Sequence, residues 1–482
     1  MLGRDHNQNH RVVFKHPFTL DSELYNGYAL TLLEKGMLAL KNMIVLKPDW
    51  KRKVFDNLIV NKWRAESADN LTTKGFNSMI EELRVCANAS IIIKTPLRTS
   101  IIDISPVDGA YQSDDLVKDS LQTDLIFYGE CLKFPTKYNL NGVGKLDWHP
   151  GSNNQVLDLV HPSLYCATNG VTKMKNGRSV DFPKNPGNYL STKYHWLPTD
   201  VEISKEGDAK FKSYINNLHP GENARLYRVL ERVLSCFVPM FDVVLSDSLS
   251  PKVSRVGDHN LAIDFDHNSY ADRLKNRSRY TIKGKTVQVI VKIAHIILTP
   301  ENPEYKGGVW HVEGMANEQI VASGIYYYDQ NNISESKLHF RMAGYDPSYE
   351  QDDRVGVRRE YGLKDEDRIN NYLGYISTTN RRAIAFPNLF QHKVDNFSLE
   401  DRTKPGYRKI LVFFLVDPNT KITSTSDVDP QQSHWYDGDN VKGKMTFEQA
   451  VEHRKALMEE RKYAVDALTE LVFEREFSLC EH

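Results

Sequence analysis

Residues 286–298 read TVQVIVKIAHIIL. They are followed by WHVEG (310–314), VASGIYYYD (321–329), RAIAFPN (382–388), QHKV (391–394) and RKILVFFLVD (408–417). β-Branched and aromatic residues dominate these runs, most are of strand length, and turn-forming or charged residues separate them. A succession of such segments between residues 286 and 417 reads as an α+β protein built on a double-stranded β-helix, or jelly-roll, barrel. A polar loop over residues 341–371 is expected to interrupt it.

Outward from the barrel the pattern turns helical. From residue 19 to about 90, Leu24, Leu30, Leu33, Met37 and Leu40 recur at spacings that suit a broad buried helix face. Pro48 breaks that run, Asp49 is placed to cap a second helix, and Thr72 or Thr73 opens a third. Residues 209–245 return to helix through Leu226, Leu230, Val233 and Leu234. Thr446 and Gln449 form a capping-box pattern ahead of a last helix running to Phe477. The expected division is a helical and mixed region over 1–245, the barrel over 246–435, and a C-terminal helix over 436–482.

Composition narrows the classes of function. The 482 residues carry 62 basic and 63 acidic side chains, a net charge of −1, so the basic excess of a nucleic-acid binder is missing. No apolar run approaches the ~20 residues that span a bilayer, and no signal-peptide core opens the chain. Five cysteines, widely spaced and without a CxxC pair, suit free thiols in a reducing compartment. The cytoplasm, or else the nucleus, is the expected location.

The chemistry gathers around His311-Val312-Glu313. Residues two apart in a strand share a face, so an imidazole and a carboxylate converge there. By composition alone, sixteen histidines among 63 acidic residues yield a pair or two of this kind, so the motif gains meaning only from its context. His392 follows in QHKV and supplies a third ligand. Two histidines and one carboxylate on one face of a metal form the facial triad of non-haem Fe(II) sites. Arg408 then opens the strongest strand, where a permanently charged guanidinium can hold a carboxylate in a two-point fork.

These residues together resemble the Fe(II)/2-oxoglutarate-dependent oxygenase superfamily. The resemblance implies that His311, Glu313 and His392 hold Fe(II) and that Arg408 anchors the distal carboxylate of 2-oxoglutarate. The interval from His392 to Arg408 is longer than usual there, so Arg402 is a rival by spacing, and Glu313 stands where aspartate is commoner. More closely, KPDWKRKVFD (47–56), DLVHPSLY (158–165), YHWLPTDVEI (194–203), GGVWHVEGMANEQIVASGIYYY (307–328) and FPNLFQHKVDNFSLEDRTKPGYRKILVFFLVDP (386–418) resemble an uncharacterised, mainly fungal family. That family is known by a domain-of-unknown-function label (4246).

The resemblance implies a dioxygenase that hydroxylates or demethylates a substrate, with a small metabolite or amino acid favoured over protein. A cupin-like metal enzyme without 2-oxoglutarate is the alternative, and a metal-free binding or scaffold protein the third reading. Weaker candidates are Gln288 and Lys292, which share a strand face and could meet cosubstrate or substrate. Asn317, Glu318 and Tyr326 could meet substrate, although core packing is the favoured role for Tyr326 and Tyr328. Asp264, Asp266 and His267 read as a turn. Asp158 and His161 match the family segment without a role that can be derived.

Overall fold

The computed structural model describes residues 14–19, 29–67, 71–89, 91–94, 99–140, 144–185, 189–250, 255, 279–347, 349–350, 352–437 and 444–479. Leu24 and the Asp264, Asp266 and His267 cluster lie outside the described residues. The first strands are β1 (Ile91–Lys94), β2 (Thr99–Ile104), β3 (Tyr111–Ser113), β4 (Val156–Val160), β5 (Ala167–Thr168) and β6 (Tyr194–His195). Then come β7 (Thr199–Ile203), β8 (Ala209–Phe211), β9 (Thr286–Leu298), β10 (Glu304–Tyr305), β11 (Ile320–Asn331) and β12 (Lys337–Ala343). The last are β13 (Asn370–Ser377), β14 (Ala383–Pro387), β15 (Gln391–Val394), β16 (Phe397–Ser398) and β17 (Gly406–Val416).

The fold is mixed α and β with antiparallel sheets. The large sheet has ten strands in the order β1-β2-β3-β14-β11-β17-β9-β7-β8, with β4 also paired to β9. A three-stranded sheet, β13-β12-β15, is prolonged by a bridge between His392 and His311. Alternation along each strand explains why both faces of the large sheet are buried. On one face Ile290, Ile325, Val412, Phe414 and Phe386 pack against Leu338, Phe340, Met342 and Ile376 of the small sheet. On the other, Ile293, Tyr326, Tyr328, Leu411 and Phe413 pack against the helices α5 and α6 described next.

The helices are α1 (Leu32–Val45), α2 (Trp50–Lys53), α3 (Asn57–Ser67), α4 (Thr73–Asn88), α5 (Asp119–Cys131) and α6 (Ala224–Ser248). Two more cover Arg354–Tyr361 and Phe447–Leu468. A Cβ added to Gly324 on β11 would come within 2.7 Å of the Phe237 ring, so the missing side chain lets α6 lie directly on the sheet. Thr31, Thr72 and Thr446 each cap a helix through the side-chain oxygen, as residues of this type do. No helix among the described residues is long and apolar enough to cross a membrane.

Several expectations need correction. The sheets do not close into a barrel, because N-terminal strands extend the large sheet on both sides: β1–β3 beyond β14, and β4, β7 and β8 beyond β9. β3 and β8 have three residues each, too few for alternation to be visible in sequence. The 341–371 loop holds the helix Arg354–Tyr361, capped by Asp353. Residues 209–211 form β8, and the helix expected from 209 starts at Ala224. Asp49 sits in the left-handed region with no capping hydrogen bond. The last α-helix ends at Leu468 and runs on as a π-helical turn over Thr469–Phe473, short of the expected Phe477; Phe473 and Phe477 are fully buried.

Candidate metal centre

His392 lies on β15, where it pairs with Phe340 of β12, and Phe340 and Phe386 pack on its ring. Its backbone exchanges both hydrogen bonds with His311, which stands in an isolated bridge and not in a regular strand. The two imidazole rings are therefore held side by side, with centroids 4.4 Å apart and planes tilted by 48°. Glu313 Oε1 lies 3.3 Å from His392 Nε2 and 3.8 Å from His311 Nε2. One ligand atom from each of the three lies within 4.8 Å of the others, a spacing one metal ion can bridge.

The supporting contacts prepare these atoms for a cation. His311 Nδ1 donates to the Val309 carbonyl at 2.8 Å, which leaves Nε2 as the bare lone pair on the side of Glu313. Asn388 accepts from the Glu313 N–H and donates to the carbonyls of Glu313 and Ile320, so one side chain fixes the carboxylate's segment. Gly314 has φ +69°, and a Cβ there would come within 2.9 Å of Ile320; glycine permits the sharp exit from the motif. Burial lowers His311 to about 4, so it stays a neutral ligand. Burial alone would raise Glu313, but the His392 hydrogen bond and the charges of His311, His392 and Lys292 bring it down to about 2.

Arg408 lies on the inner face of β17, opposite Ile296 of β9, and is 1% exposed. Its Nη1 reaches the hydroxyls of Ser336 and Thr378, and its guanidinium stacks 4.6 Å from the Phe397 ring and 5.5 Å from that of Tyr327. No carboxylate pairs with it among the described residues, and Nε has no hydrogen-bond partner there. A buried, unpaired guanidinium is costly, so the site suits an anion. Ser336 is four residues from Phe340, the partner of His392, which is about 13 Å along the strand.

The rival Arg402 is exposed and paired to Glu304 at 2.8 Å on the surface. Gln288 is fully occupied, donating to Asp200 and the Ile422 carbonyl and accepting from the Ile422 N–H. Asn317 is bonded twice to the Ser191 backbone. Glu318 is completely buried and takes hydrogen bonds from Arg461, the Trp196 N–H and the Met315 N–H. It clamps the C-terminal helix to the metal-bearing loop. Tyr326 faces α6 on the far side of the sheet; its neighbour Tyr327 faces Arg408, because adjacent strand residues alternate.

Lys292 does rise from the inner face of β9, and its charge is felt at His311 and Glu313. It is also felt at Asp158 and His161, which with His149 form a second His-Asp-His group. His149 had no sequence signal: it lies in a Gly/Pro/Asn-rich stretch, and only the fold brings it to Asp158. Asn388, Ser336 and Thr378 were likewise invisible, since each acts through a backbone or side chain distant in sequence.

A model of the family described as "Protein of unknown function (DUF4246)" matches residues 73–439, and that of its N-terminal domain matches residues 2–66. No protein of curated function matches the chain. Among solved structures, a selenomethionine-labelled Fe(II)/α-ketoglutarate-dependent dioxygenase, TqaL, is similar at 9% identity and a TM-score of 0.32, over 80% of this chain and 96% of that one. IDO from Bacillus thuringiensis is 8% identical, with a TM-score of 0.29 over 64% of this chain and 89% of its own. AviO1 from Streptomyces viridochromogenes Tue57 is 10% identical, with a TM-score of 0.24 over 66% and 93%. At these scores the likenesses carry no assignment, and the chemistry rests on the site itself.

Proposed function

The chain belongs to the DUF4246 family, which carries no assigned chemistry, and from the geometry of its site we propose that it is an Fe(II)- and 2-oxoglutarate-dependent oxygenase acting on a small molecule. The observation that carries the proposal is a His-Glu-His ligand set sharing one inter-sheet space with a buried guanidinium that has no carboxylate partner among the described residues. The order of strands supports it. From β9 onward, apart from the separate β10–β16 pair, the chain passes between sheets: β9 large, the His311 bridge small, β11 large, β12 and β13 small, β14 large, β15 small and β17 large. A double-stranded β-helix whose larger sheet had been widened by N-terminal strands would follow such a path.

His311 and His392 would hold the iron through neutral imidazoles and Glu313 through its ionised carboxylate, leaving the remaining coordination positions open. Bound there, iron and 2-oxoglutarate supply the activation of oxygen and the oxidation of a substrate C–H bond. The chain does the rest. Val309 and Asn388 hold two of the ligands in orientation. Phe340 and Phe386 shield His392 from water. Arg408, with the Ser336 and Thr378 hydroxyls beside it, takes the far carboxylate of the cosubstrate.

The test is anaerobic Fe(II) binding and succinate release by the purified full chain. His392→Ala is expected to lose both. Arg408→Met is expected to keep the iron and lose affinity for 2-oxoglutarate. Unchanged iron binding and turnover in His311→Ala would sink the assignment. If 2-oxoglutarate leaves the Fe(II) spectrum untouched while a substrate perturbs it, the site works without that cosubstrate.

A further inference from the structure

Asp158 on β4 pairs with Ala294 on β9, and Lys292 is two residues along the same strand. Both side chains rise from the face that carries the metal centre, near enough for the Lys292 charge to act on Asp158, and a bulge in β4 follows Asp158. Asp158 is 4% exposed. Its Oδ2 accepts from His149 Nδ1 at 2.7 Å, while its Oδ1 is buried without a partner among the described residues. Arg454, 3.9 Å from Oδ2, is held more closely by Asp147 at 2.7 Å. Lys292 has no ion pair or hydrogen bond among the described residues. Asp158 and His161, though not Lys292, line a small cleft with Leu132, Tyr138 and Leu146.

The Ser163 N–H donates to His161 Nδ1 at 3.2 Å, and a backbone amide can only donate. Burial keeps His161 neutral, so its proton sits on Nε2. That rules against a metal ligand at Nε2, and the cations Lys292 and Arg454 rule against it further. What remains is an ammonium, an imidazole N–H and a bare carboxylate oxygen. A plain anion would meet the first two and be repelled by the third.

We propose that Lys292, His161 and Asp158 bind the head group of a free α-amino acid, the substrate class of the oxygenase proposed above. The amino acid's carboxylate meets Lys292 and His161 Nε2–H, and its ammonium meets Asp158 Oδ1. The assignment of substrate rests on the oxygenase reading, but the binding site does not.

The experiment is calorimetric titration of the metal-free full chain with the common L-α-amino acids. The best binder is then compared with its decarboxylated amine and its 2-oxo acid. Each counterpart is expected to bind about tenfold or more weakly, since each leaves one buried group unpaired. Lys292→Met and Asp158→Asn are expected to cost a similar factor, and Arg402→Met, at an exposed arginine paired with Glu304, none. If Asp158→Asn does not fold, His161→Gln replaces it with the same expectation. The proposal is overturned if no amino acid binds the wild type, if neither variant weakens binding, or if Zn(II) binds His392→Ala stoichiometrically and is lost when His149→Ala is added to it. Amino-acid binding without succinate release would instead leave this site standing and remove the oxygenase reading.

Discussion

Two groups of His-carboxylate-His sit near one another in this protein, and the same three residue types do different work in each. In the group of His311, Glu313 and His392, a backbone carbonyl takes the Nδ1 proton of His311 and leaves Nε2 bare. In the group of His149, Asp158 and His161, a backbone amide occupies His161 Nδ1 and leaves the proton on Nε2. The first arrangement offers lone pairs to a cation; the second offers a donor. Charge follows the same division, since Arg454 lies 3.9 Å from Asp158 while no arginine pairs with Glu313 among the described residues. The neighbour behind an imidazole, more than the imidazole itself, sets what it can bind.

The largest effect should come from removing one histidine of each group. His392→Ala is expected to take bound Fe(II) or Mn(II) from about one ion per chain to none, with His149→Ala unchanged, measured by elemental analysis after desalting. Equal loss in both variants would break the comparison. Next, Arg408→Met should weaken 2-oxoglutarate binding by about 100-fold, the cost of removing a buried charge partner, whereas Arg402→Met should leave it within error. Equilibrium titration of the Mn(II)-loaded protein reads both.

Asn388→Ala tests the orientation argument more gently. It removes hydrogen bonds to Glu313 and Ile320, and is expected to cost about 1–3 kcal/mol in urea unfolding and about tenfold in metal affinity. A loss of stability with undiminished metal affinity would confine Asn388 to a structural role.

The smallest expected effect lies in the pH dependence of the metal-free protein. His311 is lowered to about 4 from an ordinary value of 6.5, so the unfolded chain takes up the proton first. Its stabilising contribution is complete above pH 6.5 and is lost as pH falls from there towards 4. His311→Gln should flatten that limb by about 1 kcal/mol, a figure reduced for the partly exposed ring. Glu313, held near 2, contributes stability above its ordinary value of 4.5 that disappears only as pH falls towards 2. Urea midpoints at pH 7 and pH 5 separate the two, since of these two side chains only His311 titrates in the unfolded chain across that interval. A slope unaltered by the substitution would place the titration elsewhere.

How far the sequence could be read depended on the range of the forces involved. β9, β11, β14, β15 and β17 were visible because their apolar runs are long enough to show strand character locally. His311, Glu313 and His392 were visible because a metal demands particular donors, and two of them share one strand-length motif. Tyr326 packs in the core, the role favoured for it, but three consecutive tyrosines show alternation without showing which phase faces the helices. Glu318 was misjudged because a carboxylate in a polar segment looks solvated until Arg461, 143 residues away in the chain, is brought onto it.

By itself, then, the sequence determined β9, β11, β14, β15 and β17, the helix cap at Thr446 and a histidine-carboxylate donor set of metal-binding type. Each of these rests on local periodicity or on the chemistry of a residue type. Only the tertiary structure decided that the sheets stay open, that β1–β4, β7 and β8 widen the larger one, and that Arg408 is buried without a carboxylate. It alone set the tautomers of His311 and His161 and brought His149, Asp158 and Lys292 to one face. Those outcomes depend on which backbone groups and charges meet across the fold, and such meetings leave no mark on the spacing of residues along the chain.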